Sequence, residues 1–122
     1  ALTISEHGAE EAILSNNVGA IACGARANLF AVVDGRLATP PIRDGVLPGI
    51  TRRAVMEIAA AWRLPFEETS LSPEDMLRAE EILLTNSLFE IRSVGRLDGR
   101  ALHSRALGDK LRAEYKEMVR LA

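Results

Sequence analysis

Two Asp-Gly pairs, Asp34-Gly35 and Asp98-Gly99, limit what this 122-residue chain can fold into more than any other feature of its sequence. A two-residue hairpin turn of type I′ needs a positive φ at both central positions, which Asp-Gly accommodates readily. Each pair is flanked by β-prone runs, so each predicts an antiparallel hairpin, which a doubly wound parallel sheet lacks. The paired runs are residues 28–33 with 36–39 and residues 91–97 with 100–102.

Three segments have the apolar spacing or the capping residues of helices. The first follows Gly49, carries one apolar face and is expected to end at Pro65. The second begins at Ser72, because Ser is a favoured N-cap and Pro73 suits the first helical position. The third closes the chain as an amphipathic helix. The apolar positions are Val55, Ile58, Ala59 and Trp62 in the first helix and Leu107, Leu111, Tyr115 and Met118 in the third.

The remaining apolar runs, at residues 11–14, 19–24, 66–71 and 82–85, are expected to be strands. Strands and helices alternate irregularly, and this pattern with the two hairpins predicts a mixed α/β (α+β) fold, a mixed sheet with flanking helices. A chain of this length fits a single domain over residues 1–122. Its start at Ala1, without Met, suggests an excised piece of a larger protein.

Composition argues against several partners. The formal net charge of -2 provides no basic surface for nucleic acid, and no apolar run approaches the roughly 20 residues needed to cross a membrane. The single cysteine, Cys23, cannot form an internal disulfide and, with no signal peptide, favours a cytoplasmic location. His7 and His103 lack partners at metal-ligand spacing, so no metal site is expected.

The loop and helix start at residues 47–52, Leu-Pro-Gly-Ile-Thr-Arg, have the features of a phosphate site. The first N–H groups of a helix have no partner within the helix, the helix dipole adds partial positive charge, and the Thr51 hydroxyl is a further donor. The alternative is an ordinary loop with a Thr N-cap. The residues alone leave both interpretations open.

A second polar segment, Leu-Thr-Asn-Ser-Leu at residues 84–88, directly follows a predicted buried strand. Ligands gather at strand ends in α/β sheets, and a Ser hydroxyl with nearby N–H groups can bind an anion. The alternative is a turn in which Asn and Ser bond their own backbone. The two lysines, Lys110 and Lys116, both lie in the closing helix and are expected to face water.

Taken in order, these motifs resemble the class-IV (fold-type IV) aminotransferase family, which includes branched-chain and D-amino-acid aminotransferases and 4-amino-4-deoxychorismate lyase. The resemblance covers nearly the whole chain, from about Gly8 to the closing helix. It rests on the ordered set of residues 24–30, 34–35, 39–41, 47–52, 79–87, 94 and 98–99.

The resemblance implies the carboxy-terminal domain of a two-domain enzyme that uses pyridoxal phosphate (PLP), with the D-amino-acid aminotransferase-like fold. In that family the positions of Ile50 and Thr51 bind the phosphate group through backbone N–H and hydroxyl. Ser87 would close the same cup from the second loop, and Leu47 would pack against the pyridine ring. The N–H groups near Ser87 and Leu88 would face the substrate carboxylate. Family members usually form homodimers.

Two departures from the family pattern concern the chemistry. The lysine that forms the Schiff base precedes the segment matching Ala1, so no catalytic residue is expected within this chain. Cys23 stands where the family usually has a Glu that binds the pyridinium nitrogen. A thiolate could replace that Glu only if its pKa fell well below the usual value of about 8.5.

The resemblance is to enzymes acting on small amino substrates, and the sequence at residues 84–88 looks more like the lyases than the transaminases. Transaminases tend to have Gly-Thr where this chain has Asn86-Ser87. We therefore expect the complete protein to release pyruvate from aminodeoxychorismate and form 4-aminobenzoate. An aminotransferase is the first alternative, and a non-catalytic domain that keeps the fold is the second.

Overall fold

The computed structural model describes residues 2–6, 9–15, 21–24, 27–44, 46, 48–102 and 104–121. The strands of this part are β1 Leu2–Glu6, β2 Ala9–Ser15, β3 Ile21–Gly24, β4 Asn28–Val33, β5 Arg36–Thr39, β6 Phe66–Glu68, β7 Glu81–Asn86, β8 Glu90–Ser93, β9 Arg96–Leu97 and β10 Arg100–Ala101. The helices are α1 Ile50–Ala61, α2 Pro73–Leu77 and α3 Ala106–Leu121, with a short 3₁₀ turn at Ile42–Asp44.

The strands form two five-stranded sheets, in the orders β10-β9-β1-β2-β3 and β6-β5-β4-β7-β8. The first sheet is antiparallel throughout. In the second, β5 and β6 are parallel neighbours joined through α1, whereas the other pairs are antiparallel. The predicted mixed α+β fold, with a mixed sheet and flanking helices, is confirmed.

Both Asp-Gly pairs form the predicted turns. The φ angles are 51° and 77° at Asp34 and Gly35, and 49° and 79° at Asp98 and Gly99. The first turn joins β4 to β5 and the second joins β9 to β10, each as an antiparallel pair. The backbone requirement of the turn was therefore sufficient to locate both hairpins.

Two strand predictions need correction. The run 91–97 is divided, because β8 pairs with β7 in the mixed sheet while β9 pairs with β1 in the other sheet. Its backbone turns between the sheets at Val94 and Gly95. The Val94 N–H donates to the Ile82 carbonyl at 2.8 Å, and the Gly95 carbonyl accepts the Leu102 N–H at 2.9 Å. The run 66–71 is a strand only as far as Glu68, beyond which Leu71 packs in the core.

The first helix ends earlier than predicted, at Ala61 rather than near Pro65. Arg63 adopts a left-handed φ of 57°, and its N–H and that of Leu64 bond the carbonyls of Ala60 and Ala59. These two bonds are a Schellman ending, which closes a helix without proline. Trp62 therefore leaves the predicted apolar face and is 39% exposed.

Strand β4 is buried along its whole length, because the mixed sheet is covered on both faces. Alternate side chains point to opposite faces. One face packs against α1 and α3, and the other against α2 and the β9–β10 region. The helix-side cluster contains Phe30, Val32, Leu37, Val55, Ile58, Ala59, Leu83, Ile91 and Leu111, and the opposite cluster contains Leu29, Ala31, Val33, Ala38, Leu71, Met76, Ile82, Leu84, Leu97 and Leu102.

Candidate functional site

Three strands of the mixed sheet, β5, β6 and β7, have their carboxyl ends at the same edge. Because β4 is antiparallel to both β5 and β7, those two strands run in the same direction, and β6 is parallel to β5. The carboxyl ends of β5, β6 and β7 therefore lie at the same edge. Both anion-binding segments predicted from sequence follow these ends, so the fold brings them together.

The first segment is the start of α1. Its N-cap residue, Gly49, provides no side-chain hydrogen bond, and the first turn contains no acidic residue. The helix cannot bond its own first N–H groups, those of Ile50 and Thr51 among them. This helix start therefore keeps the donors and the positive dipole end that suit an anion.

Gly49 is required here by close packing rather than by its backbone angles, which are extended (φ -74°, ψ 150°). A Cβ placed on Gly49 would meet the Asn28 side-chain oxygen at a separation that real Cβ atoms essentially never show. Asn28 is itself buried, at the start of β4. Strand β4 thus holds the loop before α1 in close contact.

Thr51 links the two segments. Its hydroxyl donates to the Asn86 carbonyl oxygen at 3.1 Å, and the residue is 2% exposed. A carbonyl oxygen can only accept, so the single hydroxyl proton of Thr51 is committed to this bond. Donation by this hydroxyl to a phosphate group would require the bond to Asn86 to be released, and like donation by the Thr51 N–H it stays a prediction.

The second segment is the turn between β7 and β8. The Asn86 side-chain oxygen accepts the N–H groups of Leu88 and Phe89, each at 2.9 Å. The alternative of a turn in which Asn bonds its own backbone is thus correct for Asn86. The Leu88 N–H, predicted to face a substrate carboxylate, is used in this turn. Ser87 at the tip is exposed.

Two large apolar side chains border these segments without being buried. Ile50, at the first position of α1, is 82% exposed, and Leu88, in the β7–β8 turn, is 89% exposed. Their exposure leaves apolar surface beside the polar donors.

Arg52, in the first turn of α1, is a residue whose position the sequence reasoning did not interpret. It is 4% exposed, and its Nη2 donates to the Pro40 carbonyl oxygen at 3.0 Å and to Glu68 Oε2 at 2.7 Å. A cation in the first turn opposes the helix dipole, and that mismatch is a sequence signal that could have identified it.

Three other predicted residues, Cys23, Lys110 and Lys116, lie in β3 and α3 rather than in the two polar segments. Cys23 lies in β3, opposite Leu14 in the antiparallel sheet. Lys110 and Lys116 are both exposed on α3, as expected. Leu47, His7 and His103 lie outside the described residues.

The residues that the structure describes contain neither a cluster of metal ligands nor a membrane-spanning helix. No group of three or more His, Cys, Asp or Glu side chains there is placed to hold a metal ion. None of the helices described is both long and apolar enough to span a membrane.

The known proteins that this chain resembles include aminotransferases and a lyase. The branched-chain-amino-acid aminotransferase of Escherichia coli is 40% identical over 93 residues, 76% of this chain and 30% of that protein. A Brucella abortus aminotransferase structure bound to the cofactor PLP is 30% identical with a TM-score of 0.84, covering 88% of this chain and 39% of the other. The 4-amino-4-deoxychorismate lyase structure from Pseudomonas aeruginosa is 27% identical with a TM-score of 0.84, covering 93% and 39%.

The chain thus spans well under half the length of the relatives it matches. The equal TM-scores of an aminotransferase and a lyase mean that the backbone alone does not separate the two reactions. The model of the family described as amino-transferase class IV matches residues 1–97 of the 122. The chain therefore belongs to the class-IV aminotransferase family.

Proposed function

We propose that this chain provides the phosphate-binding part of a PLP-dependent class-IV enzyme. The observation that carries the proposal is the joining of two anion-binding segments at one sheet edge by the Thr51–Asn86 hydrogen bond. An isolated helix start is a common feature. A helix start without a cap, linked to a second polar turn in a member of this family, supports a specific phosphate site.

The residues present fit the phosphate group of PLP. The N–H groups of Ile50 and Thr51 would donate from α1, and the exposed Ser87 hydroxyl would donate from the β7–β8 turn. When bound, PLP supplies an electron sink for carbon–nitrogen chemistry. The contribution of this chain is to bind and orient the phosphate, and the Thr51 hydroxyl sets the spacing of the two segments.

The ring and the covalent attachment need other residues. Leu47 is proposed to pack against the pyridine ring and Cys23 to stand near its nitrogen, as in the family resemblance. We place the attachment lysine outside this chain, since Lys110 and Lys116 are exposed on α3. The isolated chain is accordingly expected to bind phosphate without catalysing a reaction.

For the whole protein we propose transfer of an amino group between small amino and oxo acids. Support comes from the 40% identity with the Escherichia coli aminotransferase over 76% of the chain. The second candidate is the aminodeoxychorismate lyase reaction, which the Asn86-Ser87 sequence favoured. In this chain Asn86 Oδ1 accepts the Leu88 N–H, and a Gly at position 86 would lack that acceptor.

The reaction is tested on the complete protein that contains this chain. With PLP present, conversion of a branched-chain amino acid and 2-oxoglutarate to glutamate would support the aminotransferase. Formation of 4-aminobenzoate from aminodeoxychorismate would instead support the lyase. Neither product, together with no PLP absorbance band, would favour a non-catalytic domain. A homodimer is expected, and sedimentation of the same preparation measures it.

The phosphate site is tested on the 122-residue chain itself. We expect inorganic phosphate to shift the backbone amide NMR signals of Ile50, Thr51 and Ser87 in a saturable manner. Sulfate, a tetrahedral anion of fixed charge, serves as the comparison ligand. Saturable shifts confined to other residues would contradict the proposed site.

A further inference from the structure

We infer that Arg52 is a positioning residue for this phosphate site, an inference that rests on the proposed function. Its guanidinium fixes the first turn of α1 against the carboxyl ends of β5 and β6. The direction of the Ile50 and Thr51 N–H groups is set through that contact. Arg52 does not bind the anion itself.

A single nitrogen of Arg52, Nη2, links the start of α1 to the ends of β5 and β6. Nη2 donates to the Pro40 carbonyl oxygen, one residue beyond β5, and to Glu68 Oε2, at the last residue of β6. The same strand ends are held together by the Thr69 N–H, which donates to the Thr39 carbonyl at 2.9 Å. The start of α1 is thus tied to a pair of strand ends that are themselves bonded.

Local helix energetics do not explain an arginine at this position. A positive side chain in the first turn interacts unfavourably with the helix dipole, typically by about 0.3–1 kcal/mol. The first turn of α1 has no acidic residue to offset it. A long-range role accounts for Arg52, because its acceptors are 12 and 16 residues away in the chain.

The burial of Arg52 makes the contact sensitive to substitution. Its side chain is 5% exposed, against 38% for Glu68, and its Nε is buried without a hydrogen-bond partner. Removal of Glu68 would leave the buried Arg52 charge uncompensated, which is costly, whereas removal of Arg52 leaves a Glu68 carboxylate that water reaches. Lysine is one atom shorter and lacks the planar fork, so it should restore the contact only in part.

The neighbouring Arg53 provides a matched control. It is in the same helix turn and carries the same charge, but its side chain is 84% exposed and forms an ion pair with Glu57, at 3.5 Å within the same helix. Arg52→Met and Arg53→Met therefore remove equal charge from the same end of α1. The two variants separate an effect of position from an effect of net charge.

The experiment measures phosphate affinity and N–H direction at a temperature where each variant is folded. We expect Arg52→Met to bind inorganic phosphate about tenfold more weakly than the original chain, or about 1.4 kcal/mol. Residual dipolar couplings of the Ile50 and Thr51 N–H groups should change without phosphate, and Arg53→Met should leave them unchanged. Equal losses of affinity in the two variants, with unchanged couplings, would overturn the inference.

Glu68 supplies a second test if Arg52→Met does not fold. Glu68→Ala removes a negative charge, which by charge alone should strengthen anion binding, whereas loss of the contact predicts weaker binding. Glu68→Gln keeps an acceptor oxygen and should bind phosphate more tightly than Glu68→Ala. Stronger binding by Glu68→Ala, with unchanged couplings at Ile50 and Thr51, would also overturn the role.

The two proposals fail in distinguishable ways. If the original chain shows no saturable phosphate shifts at Ile50, Thr51 or Ser87, the phosphate site is wrong. The dipolar couplings are measured without phosphate and still decide the role of Arg52. Unchanged couplings in folded Arg52→Met reject that role even if the original chain binds phosphate.

Discussion

Helices α1 and α2 begin in opposite ways. In α2 the Ser72 side chain accepts the Asp75 N–H at 3.1 Å and the Asp75 carboxylate accepts the Ser72 N–H at 2.9 Å, which completes a capping box. In α1 Gly49 provides no side-chain cap, and an arginine occupies the first turn. A capped start is satisfied by the chain itself, whereas an uncapped start leaves donors for a ligand.

Helix α2, of five residues, and helix α1, of twelve, also have different structural roles. Helix α2 buries Met76 against the side of the sheet opposite α1, so its start serves local stability. The start of α1 lies at the common edge of β5, β6 and β7, where the second polar turn is attached. Substitutions that disturb the contacts at the start of α1 should therefore change phosphate binding, and substitutions at α2 should change stability alone.

The largest effect is expected for Gly49→Ala. The added Cβ collides with Asn28, and overpacking of this kind typically destabilises a protein by about 1–3 kcal/mol. Phosphate binding should weaken as well, because the Asn28 side chain or the loop packed against it must shift. Chemical unfolding and phosphate titration measure the two effects. Gly35→Ala is a useful contrast, since its added Cβ meets nothing and only its positive φ is strained.

Thr51→Val should follow in size. The substitution preserves shape but removes this donor from the part-buried Asn86 carbonyl, at a cost of about 0.5–1.5 kcal/mol. The amide signals of Asn86 and Ser87 should shift without any ligand, because the link between the two turns is lost. Thr51→Ser keeps the hydroxyl and should restore the signals. A Val variant with unchanged Asn86 and Ser87 signals would show that the bond does not position the turn.

Ser72→Ala tests the capped helix of the comparison. Loss of an N-cap costs typically about 1 kcal/mol, so the free energy of unfolding should fall by that amount. Phosphate affinity should stay unchanged.

Ser87→Ala should weaken phosphate binding and leave the free energy of unfolding nearly unchanged. Ser87 is exposed, and surface substitutions usually change stability by less than about 0.5 kcal/mol. Equal responses from the two variants would remove the distinction between the capped start of α2 and the proposed phosphate site.

The smallest effect concerns pH. The backbone hydrogen bond from Ser72 lowers the pKa of Asp75 below its ordinary value of 3.8, with smaller contributions from the Ser72 hydroxyl and Arg78. A lowered folded-state pKa adds stability above the unfolded value, and that stability is lost as pH falls from about 4 through the lower folded pKa. Unfolding titrations between pH 6 and pH 2, roughly spanning this window, should show a flatter profile for Asp75→Asn. Identical profiles would contradict the assignment.

Short-range chemistry was largely readable from the chain. The two Asp-Gly turns, the Ser72 cap and the buried strand at residues 82–85 all depend on neighbours within a few residues. The early end of α1 was missed because its Schellman ending uses a left-handed Arg63 rather than the expected glycine. The division of residues 91–97 between two sheets was missed because strand pairing is a long-range choice.

The candidate site shows the same division. Sequence patterns alone located a helix start after Gly49 and a polar turn at residues 84–88, because helix-start and turn chemistry are local properties, but they left open a Thr N-cap that the structure does not show. Only the tertiary structure decided that the Thr51 hydroxyl donates a hydrogen bond to the Asn86 carbonyl and that Arg52 donates to Pro40 and Glu68. Those partners are distant in sequence, and they meet because β5, β6 and β7 end at one edge of the mixed sheet.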